Sequence, residues 1–154
     1  MTWLKSPAFS AKCPFHVFVA GAAASAVLFG ALPWLFRLSS SKRIQRYNVD
    51  TRFTETASYG GLVFISGQVG EGPTVIEQTA SALRSVDDAL ALAGTDKSKI
   101  LELTVWLADM KDYERFNALY DKWIVPGKPP CRACLEAKLA SPKFLVEVRV
   151  IAAK

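Results

Sequence analysis

The sequence predicts an α+β domain over residues 44–154, with element order ββαβαββ, a mixed sheet and two helices on one of its faces, preceded by an N-terminal hydrophobic helix within residues 1–43. Three observations predict it. A Gly-Gly turn joins two β-suited stretches, two segments repeat apolar side chains at helical spacing, and three others alternate apolar and polar residues as strands do. One domain suffices, because 154 residues is an ordinary single-domain length.

The elements follow in order. Thr54 to Ser58 and Leu62 to Ser66 flank Tyr59-Gly60-Gly61, and glycine accepts the positive φ that a tight hairpin needs. Thr74-x-x-Glu77 is a capping box; it opens a helix with Ile76, Ala80, Leu83, Val86 and Leu90 on one face, closed by Gly94. Leu101, Leu103, Val105 and Leu107 alternate with Glu102, Thr104, Trp106 and Ala108, the pattern of a half-buried strand. A second helix, from about Lys111 to Trp123, carries Tyr113, Phe116, Tyr120 and Trp123 at helical spacing, until Pro126, Gly127, Pro129 and Pro130 stop it. Cys131 to Leu139 and Phe144 to Ala152 alternate again around a turn at Ser141-Pro142. In the last stretch Phe144, Val146, Val148 and Val150 make an apolar face, and Leu145, Glu147, Arg149 and Ile151 a mixed one. Helices cover one side of such a sheet, so the mixed side suits a subunit interface with a polar cleft.

Charge divides by position. The chain carries a net +5, yet residues 1–49 hold six basic and no acidic residues, while residues 50–154 hold 13 basic against 14 acidic, a net −1. The folded part therefore has no basic patch for nucleic acid, and no nucleic-acid partner is expected. Phe15 to Phe36 has no charged side chain, and about 20 apolar residues are what a membrane-crossing helix needs. Four basic residues follow that span and two precede it, which places the C-terminal domain on the cytoplasmic side if residues 15–36 are an anchor. The alternatives are an organelle leader, mitochondrial in character, or upstream sequence that a soluble cytoplasmic mature protein lacks.

Three cysteines and one histidine, His16 in the leader, are too few soft ligands for a structural zinc site, so no metal is expected. Cys131-x-x-Cys134 resembles a redox motif, but residues three apart on a strand point to opposite faces. Gly67 to Gly72 lacks both the dinucleotide and the P-loop pattern. Alternation puts Arg132, Cys134 and Glu136 on one side of their strand, with Arg132 emerging just after Pro129-Pro130. Its planar fork fits a carboxylate with two parallel hydrogen bonds; the other reading is a surface arginine in a salt bridge. Glu147 interrupts an apolar strand, and is either paired or solvated in a cleft, where it can orient or deprotonate water, or simply faces outward. Asn117 lies among the aromatic residues of the second helix, where it supports a loop or is merely exposed.

Four blocks in order resemble the RidA (YjgF) family of reactive-intermediate deaminases: Leu62 to Gln68; Thr104 to Leu107 with Asp109-Met110 and Phe116 to Tyr120; Pro130 to Cys134; and Leu145 to Val148. The resemblance covers about residue 44 to the C-terminus. It implies a chorismate-mutase-like fold, a homotrimer with active sites between subunits, and cofactor-free hydrolysis of enamine or imine intermediates such as 2-aminoacrylate to 2-keto acids and ammonia. Carried over by position, Arg132 holds the substrate carboxylate, Glu147 orients the attacking water, Cys134 contacts the imine through its backbone, Gly67 lines the pocket and Asn117 supports it. Phe53 stands where characterised deaminases place a tyrosine, and can pack against substrate without offering a hydroxyl. The alternative function is a non-catalytic trimer that binds small carboxylates or regulates a partner. A ribonuclease role, also attached to this family, lacks a catalytic histidine in the folded part.

Overall fold

The computed structural model describes residues 43–154. The expected hydrophobic helix at residues 15–36 lies outside the described residues, and among the described residues no helix is long and apolar enough to cross a membrane.

Six strands and two helices run in the order β1 (Gln45–Val49), β2 (Thr54–Tyr59), β3 (Leu62–Val69), α1 (Val75–Leu92), β4 (Ile100–Leu107), α2 (Tyr113–Trp123), β5 (Cys131–Glu136) and β6 (Val146–Ala153). They form one sheet of order β1-β2-β3-β6-β4-β5. It is mixed, as expected: β4 and β5 pair in parallel across α2, and every other pair is antiparallel. The α+β reading holds with one strand added. β1 was not anticipated because its sequence QRYNV is polar and almost wholly exposed, leaving no alternation to detect.

Both helices cover the same face of the sheet. Val63, Ile65, Leu103, Val105, Leu107, Val146, Val148 and Val150 point into the core, where Phe116 of α2 is fully buried. The capping box forms as expected: the Thr74 hydroxyl accepts from the Glu77 amide, and Glu77 accepts from the Thr74 amide. The inward face of α1 is shifted, however. Val75, Thr79, Ala82, Val86 and Ala89 line it with Leu83 and Leu90, whereas Ile76 is 49% exposed. Small residues at that spacing bring the helix backbone close to the sheet, and the would-be Cβ of Gly70 falls 1.8 Å from the Gln78 carbonyl oxygen.

Three strand boundaries also move. Leu101 is exposed because the register slips between Ile100 and Glu102, and Ile100 takes the buried position. β5 ends at Glu136 and β6 starts at Val146, later than the alternation suggests. The buried Gln78 side chain explains the late start: its amide donates to the Lys143 carbonyl at 2.8 Å and its carbonyl accepts from the Leu145 amide at 2.7 Å, taking backbone groups a longer strand would use.

Candidate active site

Arg132 lies on β5, one of the two edge strands, opposite Leu103, so its side chain emerges on the helix-covered face. There it meets one face of α2. Tyr113, Asn117 and Tyr120, at i, i+4 and i+7, surround the guanidinium. Nη1 donates to Asn117 Oδ1 at 2.9 Å and Nη2 donates to the Tyr113 hydroxyl at 3.1 Å. The charge sits 4.7 Å from the Tyr120 ring centroid and 5.8 Å from that of Tyr113, within cation–π range. No salt bridge involving Arg132 occurs among the described residues, so the surface ion-pair reading fails. An exposed arginine is thus held by neutral acceptors, with its charge uncompensated. Three of its five N–H donors remain for a ligand.

Cys134, two residues on, faces the same side opposite Val105. Burial raises the pKa of its thiol, and Arg132 pulls back in the smaller, opposite sense. The Tyr120 hydroxyl is raised for the same reason, against the same opposing pull. Both groups are therefore neutral near pH 7. Cys131 and Cys134 are free and separated by strand alternation, as the sequence suggests.

Glu147 belongs to a second cluster. It pairs with Trp106 on β4 and Val69 on β3, both on the open face of the sheet. Between Ile65 and Gln68 the β3–β6 register slips, leaving Ser66 and Gly67 in a bulge, the usual device for re-aiming groups at a site. The Glu147 carboxylate lies directly over Gly67: a Cβ there would stand 1.8 Å from Oε1 and 2.7 Å from Cδ. Only a glycine leaves room for that carboxylate. Gly67 also lines a cleft of about 440 Å³ with Phe53, Glu55, Ser66 and the β1–β2 connection. Phe53 is exposed at its mouth, and Asn48, at a left-handed φ of 51°, ties the connection to Glu55 through a side-chain hydrogen bond.

The six candidate residues thus form two groups, Arg132, Asn117 and Cys134 on the helix side, Glu147, Gly67 and Phe53 on the open side. Arg132 and Glu147 lie on opposite faces of the sheet. Helical spacing alone gives Tyr113 and Tyr120 no site role, although it places them on the same helix as Asn117. What the sequence could not supply is that β5 delivers Arg132 to that face. The open side carries Tyr59, Leu62, Phe64, Leu101 and Leu135, all exposed, around the half-buried Trp106 and Ile151.

The family model described as Endoribonuclease L-PSP matches residues 43–154. A RutC family protein of Haemophilus ducreyi is 43% identical over 112 residues, covering 71% of this chain and 96% of that protein. The 2-iminobutanoate/2-iminopropanoate deaminase of Mus musculus is 31% identical over 108 residues, covering 65% of this chain and 79% of that protein. Among solved structures, a YjgF-family protein of Neisseria meningitidis superposes with a TM-score of 0.73 at 39% identity, over 73% of this chain and 96% of that one.

Proposed function

This chain belongs to the RidA (YjgF) family, and from that premise we propose that it hydrolyses small 2-imino acids and their enamine tautomers, such as 2-aminoacrylate, to 2-keto acids and ammonia. The observation that carries the reading is the state of Arg132, an exposed guanidinium held by neutral Asn117 and Tyr113 and in no ion pair among the described residues. Such a group is prepared for an anion that arrives from outside. A 2-imino acid brings a carboxylate next to an electrophilic carbon, so one clamp fixes both. The name of the mouse relative points to the same substrate class.

Glu147 acts on water. Held over Gly67, it accepts a proton from a water aimed at the C=N carbon. Addition forms the C–O bond and breaks the C=N π bond while the proton that Glu147 took from water passes to the nitrogen; the carbinolamine hydroxyl proton then moves the same way, the C–N bond breaks, and the ketone and ammonia leave. Positioned general-base catalysis of this kind contributes about 10²- to 10⁴-fold. Phe53 packs against the substrate's apolar part, and the Cys134 backbone and Asn117 complete the wall.

Arg132 and Glu147 cannot serve one substrate from opposite faces of one sheet. Their separation and the exposed apolar open face support a homotrimer, in which the Arg132 edge of one copy meets the Glu147 cleft of the next. The test is ammonia release from enzymatically generated 2-aminoacrylate by the full chain. Acceleration over buffer that Arg132→Ala abolishes is expected. A rate equal to buffer sinks the proposal; equal rates for wild type and Arg132→Ala, with saturable 2-keto-acid binding to wild type alone, establish a non-catalytic binder instead.

A further inference from the structure

The Tyr113 hydroxyl has a partner and no evident use in folding. It accepts from Arg132 Nη2 at 3.1 Å, and no other hydrogen bond to it occurs among the described residues. Its ring adds a contact 5.8 Å from the guanidinium. A guanidinium is planar, with five in-plane N–H donors, so its useful direction depends on rotation about Nε–Cζ and on the swing of the long side chain. Rotation about Nε–Cζ must break any hydrogen bond at an Nη, so two bonds, one at each Nη, resist it more strongly than one: Asn117 Oδ1 takes Nη1 and Tyr113 takes Nη2, from positions one helical turn apart on α2. The Tyr120 ring fixes the plane from one side.

We propose that Tyr113 is a positioning residue whose hydroxyl, paired with Asn117, locks the Arg132 guanidinium so that Nε–H and the two remaining Nη–H donors are presented to the ligand as a pre-set fork. A pre-set fork favours a planar carboxylate that can take two parallel bonds, because no rotamer freedom is lost on binding. The kinetic part of this proposal rests on the deaminase reading; the rotational part does not.

Tyr113→Phe isolates the hydroxyl, since it keeps the ring contact and the packing of α2. Arginine side-chain nitrogen NMR on the full chain, with the Arg132 signals assigned by their loss in Arg132→Lys, reads the rotation directly. In wild type the two Nη resonances are expected to be resolved. In Tyr113→Phe their exchange is expected to accelerate roughly tenfold or more, the factor a single hydrogen bond to a charged group controls. In the 2-aminoacrylate assay the same substitution raises KM roughly tenfold and leaves kcat within about twofold, because Glu147 and its water are untouched. Unchanged Nη exchange in Tyr113→Phe overturns the proposal. So does an unchanged KM in an enzyme that is active, whereas an inactive wild type refutes the deaminase reading and leaves the NMR result to decide this one.

Discussion

Chains carrying Arg132→Ala and chains carrying Glu147→Gln, each inactive alone, should regain activity when they are unfolded together and refolded as a mixture. Three free donors on Arg132 allow a bidentate carboxylate to use two, and each hydrogen bond to a charged group is worth about 1.5–3 kcal/mol. Losing both costs about 3–6 kcal/mol, a fall of about 10²- to 10⁴-fold in kcat/KM, so the arginine variant gives a low background. If each cleft takes Arg132 from one copy and Glu147 from its neighbour, an equal mixture has an intact pair in about a quarter of its clefts, since each contributor is native with even odds. A second mixture fixes the interpretation: wild type refolded with the Arg132→Ala/Glu147→Gln double variant also has intact pairs in about a quarter of its clefts. Were both residues to act within one chain, the first mixture would stay at background and the second would keep about half. Ammonia release per total protomer, after removal of unassembled chains by size exclusion, measures both fractions. Background activity in the first mixture beside half activity in the second refutes the split site.

Other outcomes follow from the same geometry. Gly67→Ala puts a methyl 1.8 Å from Glu147 Oε1, and the half-buried carboxylate escapes by swinging aside; kcat should fall by about 10²-fold or more while thermal stability changes by only about 1 kcal/mol. Thr74→Ala removes the hydroxyl that accepts from the Glu77 amide, while the residue 74 amide can still donate to Glu77, and should lower stability by about 1 kcal/mol, seen as a lower Tm with kcat retained, because α1 carries none of the proposed site residues. Burial raises the pKa of both Cys134 and Tyr120, so each binds its proton more tightly folded than unfolded. Their contribution is complete at neutral pH and is lost as pH climbs through the raised values; denaturant midpoints should hold steady to about pH 8 and decline above about pH 9. Peptide-level mapping of alkylation at pH 8 should find Cys131 modified well before Cys134, since Cys131 is exposed and Cys134 half-buried.

Much of this architecture was readable from spacing. The capping box, the Gly-Gly hairpin and the alternation in β4 and β6 are local signals, and the helices and strands they announce are present. β1 escaped because an exposed edge strand needs no apolar face. Ile76 and Leu101 were misassigned for a common reason: apolar character does not say which of two neighbours goes inside, and a close helix approach in one case and a register slip in the other decided it. The site divided along the same line. Arg132, Glu147 and Asn117 stood out as residue types in context, but the Tyr113 and Tyr120 contacts depend on how β5 meets α2, which pairing alone determines.

The position of β6 has a consequence for folding. It is the last of the described strands along the chain and lies fourth in the sheet, between β3 and β4, so it is the strand that joins the β1–β2–β3 ladder to the β4–β5 pair. Until Val146 to Ala153 is in place, no strand bridges the two open-edged fragments, and only the packing of α1 on β3 and α2 holds their valine- and leucine-rich faces together. Such edges invite pairing with other nascent chains. Removing these eight residues therefore leaves two half-sheets rather than a trimmed domain.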